Sequence, residues 1–492
     1  MNKLTQNILP YIDALYPIIY IHSYEEVKVD KTIKELKKEG KNIDEWSLTS
    51  SESLEEFLEP YVVETEILNE TIILLKDIHS YLDINHQENQ KIVAMLKNIV
   101  NKILNDEDAY GNIIIVSPIL TIPKELEKVS TVLEVPLPTV EEIKTQIKDF
   151  IQAYGDVIST KDLEEIAIYF KGLTENEINI LLNMAIQDSG SLESKKSQKF
   201  ILSEKQQIIK KGGILEMIET NIMIDDIGGL YNLKSWLKKK AIIFQNLKKA
   251  QEYGVDIPKG VFIIGMPGCG KSLTAKATSI LFDDIPLIRL DIGRLMGKYV
   301  GESESNMRKA IKQAEAISPC ILWIDEIEKA FTGIKSGGSE VATRLFGFFL
   351  TWMQEKRSEV YVIATANDIS NLPPELLRKG RFDEVFFVDF PNIDERKQIF
   401  KVHIQNRKKD TKHIENIDFE KLAQQTDGYS GADIETIVKE TIELCFINNI
   451  EIAKTENYLE IIDSITSISD MLPEKIKNYN ELKNKMKVKS AT

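Results

Sequence analysis

The chain has 492 residues, 43% of them hydrophobic, and a formal net charge of −15. That length suits about three domains, no run approaches the ~18 apolar residues of a membrane helix, and the excess of acid opposes general binding to nucleic acid or anionic lipid. Three cysteines, Cys269, Cys320 and Cys445, have no metal-ligand spacing and point to a reducing interior, while the opening Met-Asn-Lys-Leu-Thr lacks a signal-peptide core, so the protein is expected to work where it is made.

The front of the chain alternates strand-like and helix-like pieces. Pro17–Ile21, Thr71–Leu75 and Asn112–Val116 are short runs of Ile, Leu and Val, separated by amphipathic stretches such as Val27–Lys38 and Lys91–Leu104. Such alternation predicts βαβ units and a parallel sheet over residues 1–138. After the first strand comes His22-Ser-Tyr-Glu-Glu26, which has neither glycines nor lysine to cradle an anion. No nucleotide is expected there. Lys76-Asp77-Ile-His79 follows the strand at 71–75; Asp77 and His79 read as relics of a site or as plain turn residues.

From Thr139 helical periodicity takes over, and a helical block is expected over 139–190. Residues 190 to about 213, polar and ending in Lys-Lys-Gly-Gly, read as the connection between two domains with room for a helical part, and the linker is placed at 191–219. A second α/β core is expected over 220–392, a second helical block over 393–450, and a C-terminal helical segment over 451–492. Its tail carries Lys483, Lys485, Lys487 and Lys489 and reads as a solvated end or, less simply, a docking segment.

The second core carries the chemistry. Gly265-Met266-Pro267-Gly268-Cys269-Gly270-Lys271-Ser272 lies between the apolar run Val261–Ile264 and a stretch from Leu273 to Leu281 with a helical pattern. In that context glycines turn successive amides toward one anion, and the helix N-terminus adds positive potential. Lys271 would reach the β- and γ-phosphates, and the Ser272 hydroxyl would hold Mg²⁺. The strand Ile321–Ile324 ends in Asp325-Glu326; Asp325 would sit beside the loop and hold Mg²⁺ through water, and Glu326 would orient or deprotonate a water. A third strand ends at Asn367, whose amide suits a γ-phosphate and a water but is also a common turn former. Arg378 and Arg381, close to Gly380, suit a surface presented to phosphate, or are ordinary surface charges.

These motifs occur in AAA order: Asp225-Asp226-Ile-Gly228-Gly229, the phosphate loop, Gly301–Arg308, the acid pair, Ala364-Thr-Ala-Asn367, Gly380–Asp383 and Gly428–Asp433. The stretch 220–450 resembles a single AAA ATPase module of the valosin-containing protein group. Leu15–Ile21, Phe348–Lys356 and Leu372–Asp383 are similar to the uncharacterised AAA proteins of cyanobacteria and algal plastid genomes. The resemblance implies an α/β P-loop AAA module, a parallel sheet between helices with a helical lid, preceded by a degenerate AAA-like α/β domain with its own helical block. It implies a plastid stroma or cyanobacterial-type cytoplasm. It also implies adenine contacts from Asp226 to Gly228 and a γ-phosphate sensor at Asn367. Arg378 and Arg381 become fingers acting on a neighbour, and Gly431-Ala432 marks where lid meets nucleotide; other AAA branches put an arginine there. His403 matches a residue near ribose or adenine, although a core or surface histidine reads nearly as well. Lys298-Tyr299-Val300 matches a central-pore loop whose aromatic grips polypeptide, unless Tyr299 packs on its own domain. Gly333–Ser339 is a second moving loop or a connector.

The expected function is an ATP- and Mg²⁺-dependent, homo-oligomeric machine, a ring of six by resemblance, that remodels a protein client. The alternative is a nucleotide-regulated scaffold or sensor whose front domain binds a partner. A zinc protease is disfavoured by the absence of His-Glu-x-x-His, and a GTPase by the absence of Asn-Lys-x-Asp.

Overall fold

Uninterrupted runs of branched aliphatic residues become strands here, because both faces of such a run need cover and a parallel sheet flanked by helices supplies it. The computed structural model describes every residue except 24, 84–86, 108, 155–158, 190–191, 193–194, 212, 297–301, 332–339, 369–372, 408–416, 472, 474–475, 478 and 480–487. The chain forms two compact units, Met1–Ile201 and Leu202–Thr492.

In the first unit β1 (Ile18–His22), β2 (Asn42–Trp46), β3 (Thr71–Lys76), β4 (Asn112–Ser117) and β5 (Ser130–Glu134) form an all-parallel sheet in the order β2-β3-β4-β1-β5. Alternate side chains face opposite layers. Ile18, Tyr20, Ile73 and Ile113 pack with the helices Leu54–Val63 and Gln87–Asn105, whereas Ile19, Ile21, Ile72 and Ile114 pack with Lys3–Asp13 and Glu26–Lys38. The edge strands β2 and β5 escape the sequence reading. Asn42-Ile-Asp-Glu-Trp46 and Ser130-Thr-Val-Leu-Glu134 mix polar and apolar residues, so pairing with a buried neighbour makes them strands.

The helices Val140–Ala153, Thr160–Tyr169 and Glu175–Ser189 follow, the first opened by a reciprocal Thr139–Glu142 cap. The linker stretch 191–219 carries a helix, Lys195–Lys211, and an unforeseen strand, β6 (Leu215–Ile218). Ile201, Ile209 and Leu215 are buried, and the polar composition around them conceals that sparse apolar stripe.

The second unit adds β7 (Gly260–Gly265), β8 (Leu287–Leu290), β9 (Cys320–Ile324), β10 (Val360–Ala366), β11 (Glu384–Val388) and β12 (Lys489–Ser490). The sheet order is β12-β11-β7-β10-β9-β8-β6, parallel throughout except for β6, which runs antiparallel to β8 at one edge. Every residue of β7, β9 and β10 is buried. Because β10 lies between β7 and β9, the carboxyl ends of all three open on one place. The lid comprises Ile393–Arg407, Phe419–Gln425, Gly431–Ile447 and Thr455–Ser464, closed around Phe400, Ile404, Leu422, Ile434, Val438 and Tyr458.

The solvated-end reading of the tail fails at its last residues: Lys489–Ser490 pair with Phe386–Phe387, and Ala491 is fully buried. Lys483, Lys485 and Lys487 lie outside the described residues. Among the described residues no helix is long and apolar enough to cross a membrane.

Candidate active site

The phosphate loop joins β7 to the helix Lys271–Leu281. Its first glycine is dictated by the sheet, since a Cβ on Gly265 would lie 2.0 Å from the Val388 carbonyl oxygen on β11. Gly268 is dictated twice. Its φ of 74° is left-handed, and a Cβ there would lie 2.7 Å from Ser430 Oγ at the lid. The Ala432 amide donates to the Gly268 carbonyl at 3.0 Å, and Ser430 caps the helix Gly431–Ile447 through the Asp433 amide, so lid and loop are joined directly. Lys271 is buried, and its ammonium donates to the Gly265 and Met266 carbonyls at 2.9 and 2.6 Å. Burial lowers its pKa to about 8, against the opposing pull of Cys269, Glu328, Asp325 and Glu326. A buried ammonium held by neutral carbonyls, at a helix N-terminus, suits an anion. Cys269 is inert by comparison, its thiol pushed up to about 12 by burial.

At the end of β9, Asp325 Oδ1 accepts from Ser272 Oγ at 3.3 Å and from Thr365 Oγ1. Glu326 turns with a left-handed φ of 52°, its amide donating to Thr365 Oγ1 at 3.1 Å. Its carboxylate accepts from Asn367 Nδ2 at 2.8 Å and pairs with Lys329. The Asn367 amide in turn donates to Glu328 Oε1 at 3.0 Å. Glu328 is buried, which raises its pKa, and the Glu326 charge pushes the same way. Thr365 and Glu328 were not singled out in the sequence. Thr365 was legible in retrospect, lying two residues before Asn367 on the same strand. The hard oxygens of Ser272 and Asp325 fit Mg²⁺, which takes few protein ligands and keeps several waters.

A cavity of about 320 Å³ runs from this cluster to the lid. Asp226 and Gly228 line one wall, Pro267 to Leu273 the floor, Asp325, Glu326 and Asn367 one end, and His403, Gly431 and Ala432 the lid side. The structure thus gathers nearly all the expected nucleotide residues; Gly265 and Met266 serve instead as carbonyl partners of Lys271. Ile399, Val402, Glu395 and Glu435 also line it, and none was expected. Ile399 lies against Gly228, where a Cβ would come within 2.5 Å of Ile399 Cγ1. Burial lowers the His403 pKa; Glu435 opposes this and Arg407 adds to it. His403 therefore offers a neutral ring.

Arg378 and Arg381 are not among the residues lining this cavity. Arg378 is exposed, while the Arg381 guanidinium donates to the Glu375 carbonyl of its own turn. Lys298, Tyr299 and Val300, with Gly333–Ser339, lie outside the described residues.

Comparison with known proteins agrees with this geometry. Residues 261–390 match the ATPase family associated with various cellular activities (AAA), and 416–461 match the AAA+ lid domain. Residues 4–135 and 141–212 match the N-terminal and second domains of SpoVK-like AAA ATPases. The chain is 38% identical over 489 residues to the AAA domain-containing protein ycf46 of Guillardia theta, covering 96% of this chain and 92% of the relative. It is 36% identical over 458 residues to ycf46 of Pyropia yezoensis, covering 90% of each. A shorter similarity, 32% over 253 residues, links it to the ATP-dependent zinc metalloprotease FtsH of Parabacteroides distasonis, covering 50% of this chain and 36% of that one. With matched domains following one another in order and that similarity spanning most of its length, the chain belongs to the ycf46 family of AAA domain-containing proteins.

Proposed function

We propose that the second unit hydrolyses ATP at sites completed between adjacent copies in a ring, and that turnover remodels a bound protein client. The observation that carries this reading is the Glu326–Asn367 pair. A carboxylate held by an amide at the end of β9 stands in one cavity with the buried Lys271 ammonium. When bound, ATP supplies the phosphoanhydride, and Mg²⁺ neutralises charge developing on the phosphates.

The chain does the rest. Lys271 exchanges its loop carbonyls for phosphate oxygens, and the loop amides join it. Ser272 would hold Mg²⁺ through its hydroxyl, and Asp325 would hold it through water. Glu326 Oε1, positioned by Asn367 Nδ2, orients the attacking water and accepts its proton. Arg378 and Arg381, away from their own chain's cavity, lie on a turn suited to completing a neighbour's site. A guanidinium in that role is worth roughly 10³–10⁵ in rate, or about 4–7 kcal/mol. Asp226 to Gly228 and His403 bound the space for the base. For Lys298, Tyr299 and Val300 as a client-gripping loop, and for a plastid or cyanobacterial-type compartment, the support is the family resemblance alone.

Subunit mixing tests the shared site. Arg378→Ala and Lys271→Ala proteins, each inactive alone, should regain part of the turnover when combined; no recovery at any ratio would argue against it. The scaffold reading draws on the first unit, which repeats the fold without a phosphate loop. A rate that no client stimulates would favour it.

A further inference from the structure

Nothing in the residue types of Lys489-Ser-Ala-Thr492 places them near a nucleotide, yet they meet the wall of the cavity from behind. We propose that this segment is a strap that positions the base-binding loop Asp226–Leu230, through Ala491 and Thr492, and so sets nucleotide affinity rather than the rate of cleavage. The proposal rests on the ATP reading above.

The strap is anchored first. It extends the sheet beside β11, with the Ala491 amide donating to the Phe387 carbonyl at 2.9 Å and Lys489 paired with Glu384. The fully buried Ala491 leaves no room for a larger polar group.

From that anchor it reaches the loop along two routes. The helix Tyr231–Gln245 begins directly after Leu230, which is itself left-handed at φ 55° and gives no side-chain cap. A helix start leaves amide donors without intrahelical partners. Here the Ala491 carbonyl accepts from the Asn232 and Leu233 amides at 3.0 and 3.2 Å, and Asn232 Nδ2 donates to the Thr492 carbonyl at 2.6 Å. A distant segment thus supplies the cap that the local sequence lacks.

The second route passes through Glu395 on the first lid helix, which is 2% exposed and lines the cavity. Its Oε1 accepts from Thr492 Oγ1 at 2.9 Å and from the Leu230 amide at 2.8 Å, and its Oε2 accepts from the Asn392 amide at 3.0 Å. Gly229 makes the approach possible, since a Cβ there would lie 2.3 Å from Glu395 Oε1. Loop, lid and strap therefore meet at one buried carboxylate. Loss of the Thr492 hydroxyl leaves that carboxylate one donor short and lets the loop loosen, so a nucleotide must order it on binding. None of the hydrogen bonds described for the strap reaches Lys271, Asp325, Glu326 or Asn367, so the chemical step should be spared.

The test compares Thr492→Val, Thr492→Ser and Ala491→Asp in the full chain. Three quantities are read: the Kd of a fluorescent ATP analogue, KM against kcat for ATP, and hydrogen exchange at the Asn232 and Leu233 amides without nucleotide. Thr492→Val should raise Kd and KM about five- to twenty-fold, the scale of one hydrogen bond to a charged group passed on in part, with kcat within about twofold. Thr492→Ser keeps the hydroxyl and should restore the wild-type Kd. Ala491→Asp should eject the strap, speed exchange at both amides and weaken binding further. If it fails to fold, Thr492→Val and its serine rescue still decide. Unchanged Kd in Thr492→Val beside a wild type that binds the analogue overturns the strap alone, as does a fall in kcat with Kd unmoved. A wild type that binds no analogue overturns the nucleotide reading and the strap's role with it.

Discussion

The two α/β sheets of this chain are the same scaffold used twice. The first runs β2-β3-β4-β1-β5, and β8-β9-β10-β7-β11 in the second repeats that order strand for strand. Both even break from the sheet in the same way after the third strand of the set, Asp77 at φ 58° and Glu326 at φ 52°. The difference lies in what stands there. The second unit has Asp325-Glu326-Ile-Glu328, whose first two residues line the cavity; the first has Lys76-Asp77-Ile-His79. Lys76 pairs with Asp30 and Glu45 at 2.8 and 2.6 Å, and His79 Nδ1 lies 2.9 Å from Ser117 Oγ. After the first strand the second unit has its phosphate loop, whereas in the first the His22 ring lies 3.0 Å from the Pro118 carbonyl oxygen. Both copies partner these groups with their own atoms; in the second, Lys271, Asp325 and Glu326 also border the cavity beside the phosphate loop. Fold alone therefore does not specify the activity; a few side chains at strand ends do.

Four experiments would break or sharpen that contrast. The largest effect is expected from Glu326→Gln, which should lower turnover by about 10²–10⁴ with analogue binding retained, while Asp77→Asn, at the matching turn, should leave phosphate release alone. Unchanged hydrolysis in the glutamine protein would remove Glu326 from the mechanism. Next is Gly265→Ala, which forces a methyl onto the Val388 carbonyl and should cost about 2–4 kcal/mol of stability, the range of a severe backbone conflict. His22→Ala, where a side chain is already accommodated, should cost about 1 kcal/mol or less by the same melting assay. Third, Lys76→Met leaves Asp30 and Glu45 without their shared cation. A loss of about 1 kcal/mol is expected for partly exposed pairs, and no nucleotide should bind the first unit either way. An analogue cross-linked to that unit in the wild type would end the contrast.

The smallest effect concerns pH. The folded His403 pKa lies below 6.5 because burial disfavours the charged ring, so below 6.5 the unfolded chain binds more protons and stability falls with acidification toward the folded pKa. His403→Gln should flatten that part of the stability–pH curve. An unaltered curve would show that the ring carries no such penalty.

The second unit's candidate site was legible because its residues are local. Gly265–Ser272 and Asp325-Glu326 each carry their meaning within a few positions, bounded by apolar runs that are buried throughout. Asn367 was legible only as one reading of two, and its bond to Glu326 depends on β10 lying beside β9. Glu395 gave no signal, since a glutamate early in a helix is ordinary. The polar strands β2 and β5 were missed for a related reason, their sheet membership being imposed by neighbours. Within the linker stretch β6 was missed because Leu215–Ile218 becomes a strand by pairing with β8.

By itself the sequence determined the local pieces of the proposed anion, metal and water site, because backbone turns and charge pairs are set by residues adjacent in the chain. Only the tertiary structure decided that β7, β9 and β10 bring those pieces to one cavity, that the lid touches the phosphate loop through Ala432 and Gly268, and that Ala491 and Thr492 cap a helix begun at Tyr231. Those contacts join residues far apart in sequence. They form because buried amides and carboxylates must find partners wherever the packed chain places them.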